Sequence, residues 1–193
     1  MEPKDVLLRY LDQARAGLLG RLDGLGEREL RWPMTPTGTN LLGLVKHVAT
    51  VELGYLGEVF DRPSGERLPW MDEDAEPNAD FWATAAEPSA DVLALAHRAA
   101  AHSAATVAAL DLDAPGVVSW WPPNRRAVTL QQVLVHLVAE TARHAGHADI
   151  LRELLDGAAG DDRGNLPDQS PAEWAAHRRR LEQAAEAAAA PGA

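Results

Sequence analysis

The sequence has 193 residues, of which 46% are hydrophobic and 24% are charged, and its formal net charge is −11. A chain of this composition can bury an apolar core, so disorder throughout is excluded. The absence of cysteine excludes disulfides, cysteine-bound zinc and a cysteine nucleophile within the chain. The acidic charge argues against nucleic acid as a partner, and no apolar run is long enough to span a membrane. The N-terminus lacks an apolar signal segment, so we expect a cytoplasmic protein.

Two helices are predicted in the first third of the chain. The first runs over about residues 4–22, where apolar side chains recur at helical spacing before two glycines. The second begins near Thr39 or Asn40, which are both suitable N-caps, and reaches about Phe60. Residues 61–88 are acidic and contain prolines, so they predict a long connection with at most one short turn.

Two more long helices are predicted, over residues 89–110 and 129–156. The fourth opens with the capping-box residues Thr129 and Gln132 and ends at Gly157. Between these helices, residues 111–128 predict an irregular loop, because no stretch of the chain alternates as a strand does. This loop contains Trp120-Trp121, which either pins the loop onto the helices or forms the wall of a pocket over a bound metal.

These elements predict an all-α protein built as an antiparallel four-helix bundle over residues 1–157. Residues 158–193 predict a flexible Gly- and Asp-rich loop followed by an accessory C-terminal helix. That last helix opens with a second capping box, formed by Ser170 and Glu173, and has Pro171 at its first position.

A group of ionisable residues lies on the apolar side of the fourth predicted helix. Three of the seven histidines are His136, His144 and His147, and Glu140 lies among them. At 100° per residue these four side chains fall within about 80° of arc, on the side that also carries the leucines and valines. A buried carboxylate or imidazolium costs several kcal/mol unless it is paired. A divalent metal bound by Glu140 and His144 would satisfy both groups, and a hydrogen-bonded Glu–His pair in the core would do so equally well.

A third ligand is expected from another helix, and the second helix offers His47. On its helical wheel His47 flanks the apolar stripe, whereas Lys46 falls on the outer side. A histidine in that position is also common as a core residue without a metal. His136 and His147 lie at the edge of the apolar side, where they are either partly exposed residues or replacements for a ligand. Three ligands from two helices would leave open coordination positions, as catalytic metal sites do.

Two stretches of this sequence resemble signature regions of the DinB-like superfamily of helical bundles. The first stretch is residues 37–48, which end in Leu-Val-Lys-His47-Val, and the second is residues 136–157, which contain His136-Leu-Val-Ala-Glu140-Thr-Ala-Arg-His144. The second stretch is closest to the branch related to mycothiol-dependent maleylpyruvate isomerase and thiol transferases. Most superfamily members have histidine at both of the last two ligand positions, and the mycothiol-dependent relatives have glutamate followed by histidine.

The resemblance implies a four-helix bundle that holds one divalent metal, zinc or nickel, through His47, Glu140 and His144. It implies no catalytic residue distinct from these ligands, and it leaves the residues that bind a thiol unassigned. The implied chemistry is activation of a small thiol such as mycothiol for attack on an electrophile. Family members are often dimers, so a homodimer is a further expectation.

Two other functions remain open from the sequence. One is metal binding without catalysis, as in superfamily members that are known only as stress proteins or binding partners. The other is metal-assisted hydrolysis by a bound water at the same site. A roomy, polar pocket beside the metal favours an enzyme, and a closed site with four protein ligands, for instance with His136 or His147 added, favours a non-catalytic protein.

Overall fold

The computed structural model describes residues 2–160, 164 and 166–189 of the chain. Six α-helices account for most of these residues: α1 (Pro3–Gly20), α2 (Glu27–Arg31), α3 (Leu41–Leu56), α4 (Ser89–Ala109), α5 (Leu130–Asp156) and α6 (Pro171–Ala189). Two short strands, β1 (Pro115–Val117) and β2 (Ala127–Thr129), pair antiparallel with Gly116 opposite Val128. The predicted all-α bundle with a C-terminal helix is therefore confirmed. None of the helices in the described part of the chain is long and apolar enough to cross a membrane.

The chain divides into two compact units, Met1–Gly160 and Asp161–Ala193. In the first unit α5 packs against α1 and α3, and α3 also packs against α4. Three apolar clusters fill the spaces between these helices. Helix α3 is central to this packing, because nearly all its residues are buried. In the second unit, α6 is a single helix with no buried residue.

The helix termini follow the capping residues that the sequence offers. The Asn40 side chain accepts a hydrogen bond from the Gly43 amide at the start of α3. Thr129 and Gln132 form the reciprocal capping box of α5, and Gly157 ends that helix in the left-handed conformation, with φ of 79°. At the start of α6, Ser170 and Glu173 exchange hydrogen bonds as a capping box does.

The connections are more ordered than the sequence predicts. The second predicted helix ends at Leu56 instead of Phe60, because Gly57 leaves the helical conformation and a 3-10 turn over Glu58–Phe60 follows. Residues 61–88 contain two further 3-10 turns, Pro69–Met71 and Ala79–Phe81, where we predicted at most one. Helix α2 has only five residues, too few to show a helical period.

The prediction of an irregular loop over residues 111–128 is wrong at its two ends. β1 and β2 form a two-stranded ribbon there, and Val118 just beyond β1 is fully buried. Each strand has three residues, which is too short for the apolar alternation that identifies a strand in a sequence. Gly116 faces Val59 and Phe60 so closely that a Cβ atom would collide with both side chains. The ribbon therefore packs against the segment that follows α3.

Candidate metal site

His47, Glu140 and His144 come together between α3 and α5. Each offers one ligand atom, and these three atoms lie within 4.8 Å of one another. Nε2 of His144 is 2.9 Å from Oε1 of Glu140, and Nε2 of His47 is 3.5 Å from the same oxygen. Two imidazole nitrogens from different helices therefore converge on one carboxylate, as the sequence predicts.

The separations and the donor types fit a small divalent cation. Ligands about 2.1 Å from a tetrahedral zinc ion are about 3.4 Å apart, and the two nitrogen-to-oxygen distances of the cluster, 2.9 and 3.5 Å, lie near this value. The set of two imidazole nitrogens and one carboxylate oxygen suits zinc and its neighbours in the first transition row. His47 and His144 are buried, whereas Glu140 is partly exposed, so the cluster is not closed off from solvent.

The pKa shifts of Glu140 and His144 favour an ionised carboxylate beside a neutral imidazole. Burial lowers the pKa of His144, although the hydrogen bond with Glu140 opposes this, so the imidazole is neutral at pH 7. Burial works to raise the pKa of Glu140, but the contacts with His144 and His47 outweigh it, and the net pKa is lowered. A neutral imidazole and an ionised carboxylate are the charge states in which these side chains bind metals. The Nε2 proton that His144 donates to Glu140 has to leave that nitrogen when a metal binds there.

Asp80 holds His47 from the side opposite Glu140. Its Oδ2 is 2.6 Å from Nδ1 of His47, so the carboxylate accepts a hydrogen bond from Nδ1–H. The lone pair of the ring then lies on Nε2, the nitrogen near Glu140. Burial works to raise the pKa of Asp80, but the contacts with His47 outweigh this effect and the pKa is lowered. Phe81 stacks on the His47 ring with centroids 3.7 Å apart. His144 lacks an equivalent support, because its buried Nδ1 has no hydrogen-bond partner among the described residues.

Lys46 is the residue whose predicted position is wrong. We expected it on the outer side of α3, but it is 1% exposed. Its ammonium group donates to the carbonyl oxygens of Ala79 and Trp82 and lies 2.7 Å from a Glu87 carboxylate oxygen. It also lies over the ring of Trp70, 4.0 Å from the centroid. The side of α3 that the helical wheel assigns to solvent is covered by residues 69–88, which Lys46 ties to the helix.

Asp80 and Phe81 were not predicted as parts of the site. They lie 33 and more residues from His47 in a 3-10 turn, and one aspartate in an acidic connection gives no local signal. Residues 69–88 could have been expected near His47 only if their packing over Lys46 had been recognised from the sequence. The structure thus adds a third element, the turn Ala79–Phe81, to the two helices that supply the predicted ligands.

The other predicted histidines lie outside the cluster. The half-buried His136 contacts the rings of Tyr55 and Trp121, and the exposed His147 contacts the edge of His144. Trp120 and Trp121 both direct their Nε1 groups at the Tyr55 hydroxyl, at 3.4 and 2.9 Å. They pin the loop after β1 to α3, and Trp120 also forms the wall of a cavity. The first alternative for this Trp pair is therefore present, whereas a pocket wall over the metal is not seen among the described residues, because none of His47, Glu140 and His144 lines this cavity.

Two cavities border the turn Ala79–Phe81. The larger, of about 530 Å³, includes Asp80 in its lining, and the smaller, of about 450 Å³, includes Phe81. The smaller cavity also has polar neighbours, among them Thr37, Thr39 and Asn78. Each cavity therefore borders a residue that touches His47.

The fold and the cluster define a helical-bundle protein with a candidate metal site that two helices share. The sequence matches the family model described as Mycothiol-S-transferase over residues 6–157, which is most of the chain and includes the whole cluster. The chain therefore belongs to this family, and the predicted relationship to the mycothiol-dependent branch of DinB-like proteins is confirmed. No curated protein matches the sequence.

Proposed function

We propose that the protein is a metal-dependent mycothiol S-transferase in which His47, Glu140 and His144 bind the metal. The observation that carries this proposal is the convergence of two imidazole Nε2 atoms on one carboxylate, in a chain that belongs to the mycothiol S-transferase family. Zinc or nickel is the metal that the family resemblance implies, and a site of two nitrogens and one oxygen accepts both, as it also accepts cobalt and iron. The expected partners are mycothiol and an electrophile.

A divalent cation, when bound, supplies the positive charge that lowers the pKa of a nearby thiol and favours the nucleophilic thiolate. Glu140 contributes one negative charge to the site, which balances half the charge of the cation. Asp80 holds the proton of His47 at Nδ1, so Nε2 keeps its lone pair for the metal. Phe81 covers the face of the His47 ring and keeps water from it.

The sequence contains no cysteine, so the sulfur of a transfer reaction comes from the small thiol. In the transfer, the thiolate sulfur forms a bond to an electrophilic carbon, and the leaving group departs with the electrons of the bond that breaks. The thiol proton goes to solvent. The chain needs no nucleophile of its own, which agrees with a site made only of ligands and their supports.

Metal content and thiol response test this proposal together. Elemental analysis of untagged wild-type protein should give about one metal per chain, and both His47→Ala and Glu140→Ala should lose most of it. His97→Ala is the matched control, because His97 is an exposed histidine of α4 that should leave the metal in place. Mycothiol added to the cobalt-substituted wild type should produce a thiolate charge-transfer band.

Each contrary result excludes a different part of the proposal. A wild type without metal would leave Glu140 and His144 as a hydrogen-bonded pair in the core. Stoichiometric metal without a thiol response would contradict S-transfer. It would favour the two alternative functions, metal binding without catalysis and metal-assisted hydrolysis. Metal retained in Glu140→Ala would show that the ion binds elsewhere.

A further inference from the structure

The larger cavity lies between α3 and residues 63–71. Its apolar lining comes from α3, from residues 63–71 and from the loop after β1, and includes Val51, Leu53, Gly54, Leu68, Met71 and Trp120. With about 530 Å³ it falls in the range of cavities that enclose a small organic molecule. The three proposed metal ligands do not line this cavity, so the metal site alone does not explain it.

The cavity nevertheless adjoins the metal site. Asp80 lines the cavity, and its carboxylate is 2.6 Å from the ring of His47. Val51 also lines it and follows His47 by one helical turn, or about 6 Å along α3. A molecule in the cavity therefore lies beside the support of His47 and next to the helical turn that carries this ligand.

The walls suit an apolar molecule. Trp120 is 52% exposed and Met71 is 61% exposed, so two large apolar side chains of the lining stand in water. Trp120 lies against α3 where Gly54 has no side chain, and a Cβ atom there would be 3.6 Å from the indole ring. An apolar occupant would cover both side chains and remove their surface from water, which favours binding.

The charges of the lining disfavour an anion. Arg67 is the one cation of the lining, and both its terminal nitrogens are bound to Asp72, at 2.7 and 2.8 Å. Glu66 is paired in the same way with Arg98. Glu58 also lines the cavity and has no ion pair within the described residues. An anionic molecule would therefore meet a carboxylate without finding a free cation.

We propose that this cavity binds the acceptor of the sulfur, an uncharged and largely apolar small electrophile. This inference rests on the proposed S-transferase function. It assigns the acceptor to the space between α3 and residues 63–71, where apolar walls, an unpaired carboxylate and the Asp80–His47 contact lie together.

Direct binding tests the cavity without any reaction. The probes are N-phenyl-1-naphthylamine, which is neutral, and 8-anilino-1-naphthalenesulfonate, which is an anion of similar shape and size. Titrated into the metal-loaded protein and followed by probe fluorescence, the neutral probe should bind one molecule per chain. It should bind about tenfold more tightly than the anion, because of the repulsion by Glu58. Equal binding of the two probes would contradict the inference.

Variants of the lining show where the probe binds. Gly54→Leu places a side chain against Trp120 inside the cavity and should weaken the neutral probe about tenfold or more. Gly54→Ala is its control, since a Cβ atom there meets the indole ring at an ordinary contact distance. Met71→Gln removes an exposed apolar wall and should weaken binding about threefold. Leu154→Gln changes an equally exposed residue of α5 outside the cavity and should have no effect.

The reaction then separates this inference from the proposed function. With 1-chloro-2,4-dinitrobenzene and mycothiol, the sulfur bonds to the ring carbon, chloride leaves with its electron pair and the thiol proton goes to water. Gly54→Leu should keep its metal but lose about tenfold in kcat/KM for this acceptor. Full transfer by Gly54→Leu would overturn the cavity assignment alone. A wild type that binds the neutral probe but shows neither metal nor transfer would overturn the proposed function instead, and the acceptor role with it.

Discussion

The contact between Asp80 and His47 fixes which ring nitrogen of His47 carries the proton. An imidazole can present either nitrogen to a metal, and the hydrogen bond at one nitrogen decides which nitrogen keeps the lone pair. Here the acceptor is a partly buried carboxylate 2.6 Å from Nδ1, so the lone pair stays on Nε2, which lies 3.5 Å from Glu140. The sequence predicts His47 as a ligand, but the group that fixes its tautomer is supplied by a remote 3-10 turn.

Replacing Asp80 by Asn tests this positioning role. Asn keeps nearly the same shape but loses the negative charge, so the metal affinity should fall by about 10- to 100-fold. Competition with a chelator of known affinity measures the change. Asp74→Asn removes an exposed aspartate from the same segment and should leave the metal affinity unchanged. An unaltered affinity in Asp80→Asn would show that the His47 tautomer does not depend on this contact.

The ion pair of Lys46 and Glu87 predicts how the stability of the bundle depends on pH. Burial works to raise the pKa of Glu87, but the contact with Lys46 and hydrogen bonds from Thr84 lower it below the usual glutamate value of 4.5. The unfolded chain therefore binds this proton at a higher pH than the folded chain does. The stabilisation is complete above the unfolded-state pKa, and it is lost as the pH falls through the folded-state pKa.

In Glu87→Gln this part of the acid dependence should disappear. The variant should be about 1 kcal/mol less stable than the wild type at pH 7, and the two curves should approach each other below pH 4.5. Urea unfolding over the range from about pH 3 to pH 7 measures both free energies. Glu76→Gln, an exposed residue of the same segment, should run parallel to the wild type. A constant difference between Glu87→Gln and wild type at every pH would contradict the lowered pKa.

At the scale of elements, α3 carries the site because it packs on every side. Its candidate ligand His47 contacts Glu140 of α5, whereas the side that carries Lys46 is closed by the turn Ala79–Phe81 and the residues after it. The first turn of α3 meets Phe81 so closely that Gly43 has no room for a Cβ atom. Asn40, which caps α3, also donates to the Phe81 carbonyl oxygen, at 3.3 Å. These contacts hold the turn that supplies Asp80.

The two glycines Gly43 and Gly54 of α3 should respond to alanine with opposite signs. Alanine is favoured over glycine within a helix by about 1 kcal/mol, so Gly54→Ala should stabilise the protein by about that amount. In Gly43→Ala the new methyl group overlaps the Phe81 carbonyl, and the turn must move away. That variant should lose about 2 kcal/mol or more. Urea unfolding of the two variants beside the wild type gives the comparison, and a stabilised Gly43→Ala would show that the turn is not tightly packed on the helix.

The sequence determines the long elements well and the short ones poorly. The ends of α3 and α5 follow from capping residues within one turn of the helix terminus. The proximity of Glu140 and His144 could be predicted because both residues lie on one face of one helix. The position of Lys46 could not, because its burial depends on residues 69–88, which are brought there by packing and not by any periodicity. The β1–β2 ribbon and the support from Asp80 were missed for the same reason.

At the scale of the whole molecule, the apolar core belongs to the first unit. All three apolar clusters consist of residues from Leu7 to Leu155, and the candidate metal ligands lie within the same range. In contrast, α6 has no buried residue and is rich in alanine, a composition that forms a helix without needing a core. The predicted boundary between residues 157 and 158 stays a prediction, which removal of the C-terminal part can test.

A chain that ends at residue 160 should keep both its stability and its metal. Because α6 buries no residue, its removal should change the free energy of unfolding by no more than about 0.5 kcal/mol, as with changes at exposed surfaces. Urea unfolding and elemental analysis of the shortened chain measure the two properties.

A chain that ends at residue 150 is the contrasting control. It lacks the buried Leu151, and it lacks Arg152, which donates to the carbonyl oxygens of Arg21 and Asp23 after α1. This second chain should be less stable by several kcal/mol, since a core leucine alone contributes about 2–5 kcal/mol. A large loss of stability in the chain that ends at residue 160 would show that the bundle depends on α6, and the domain boundary would then have to be abandoned.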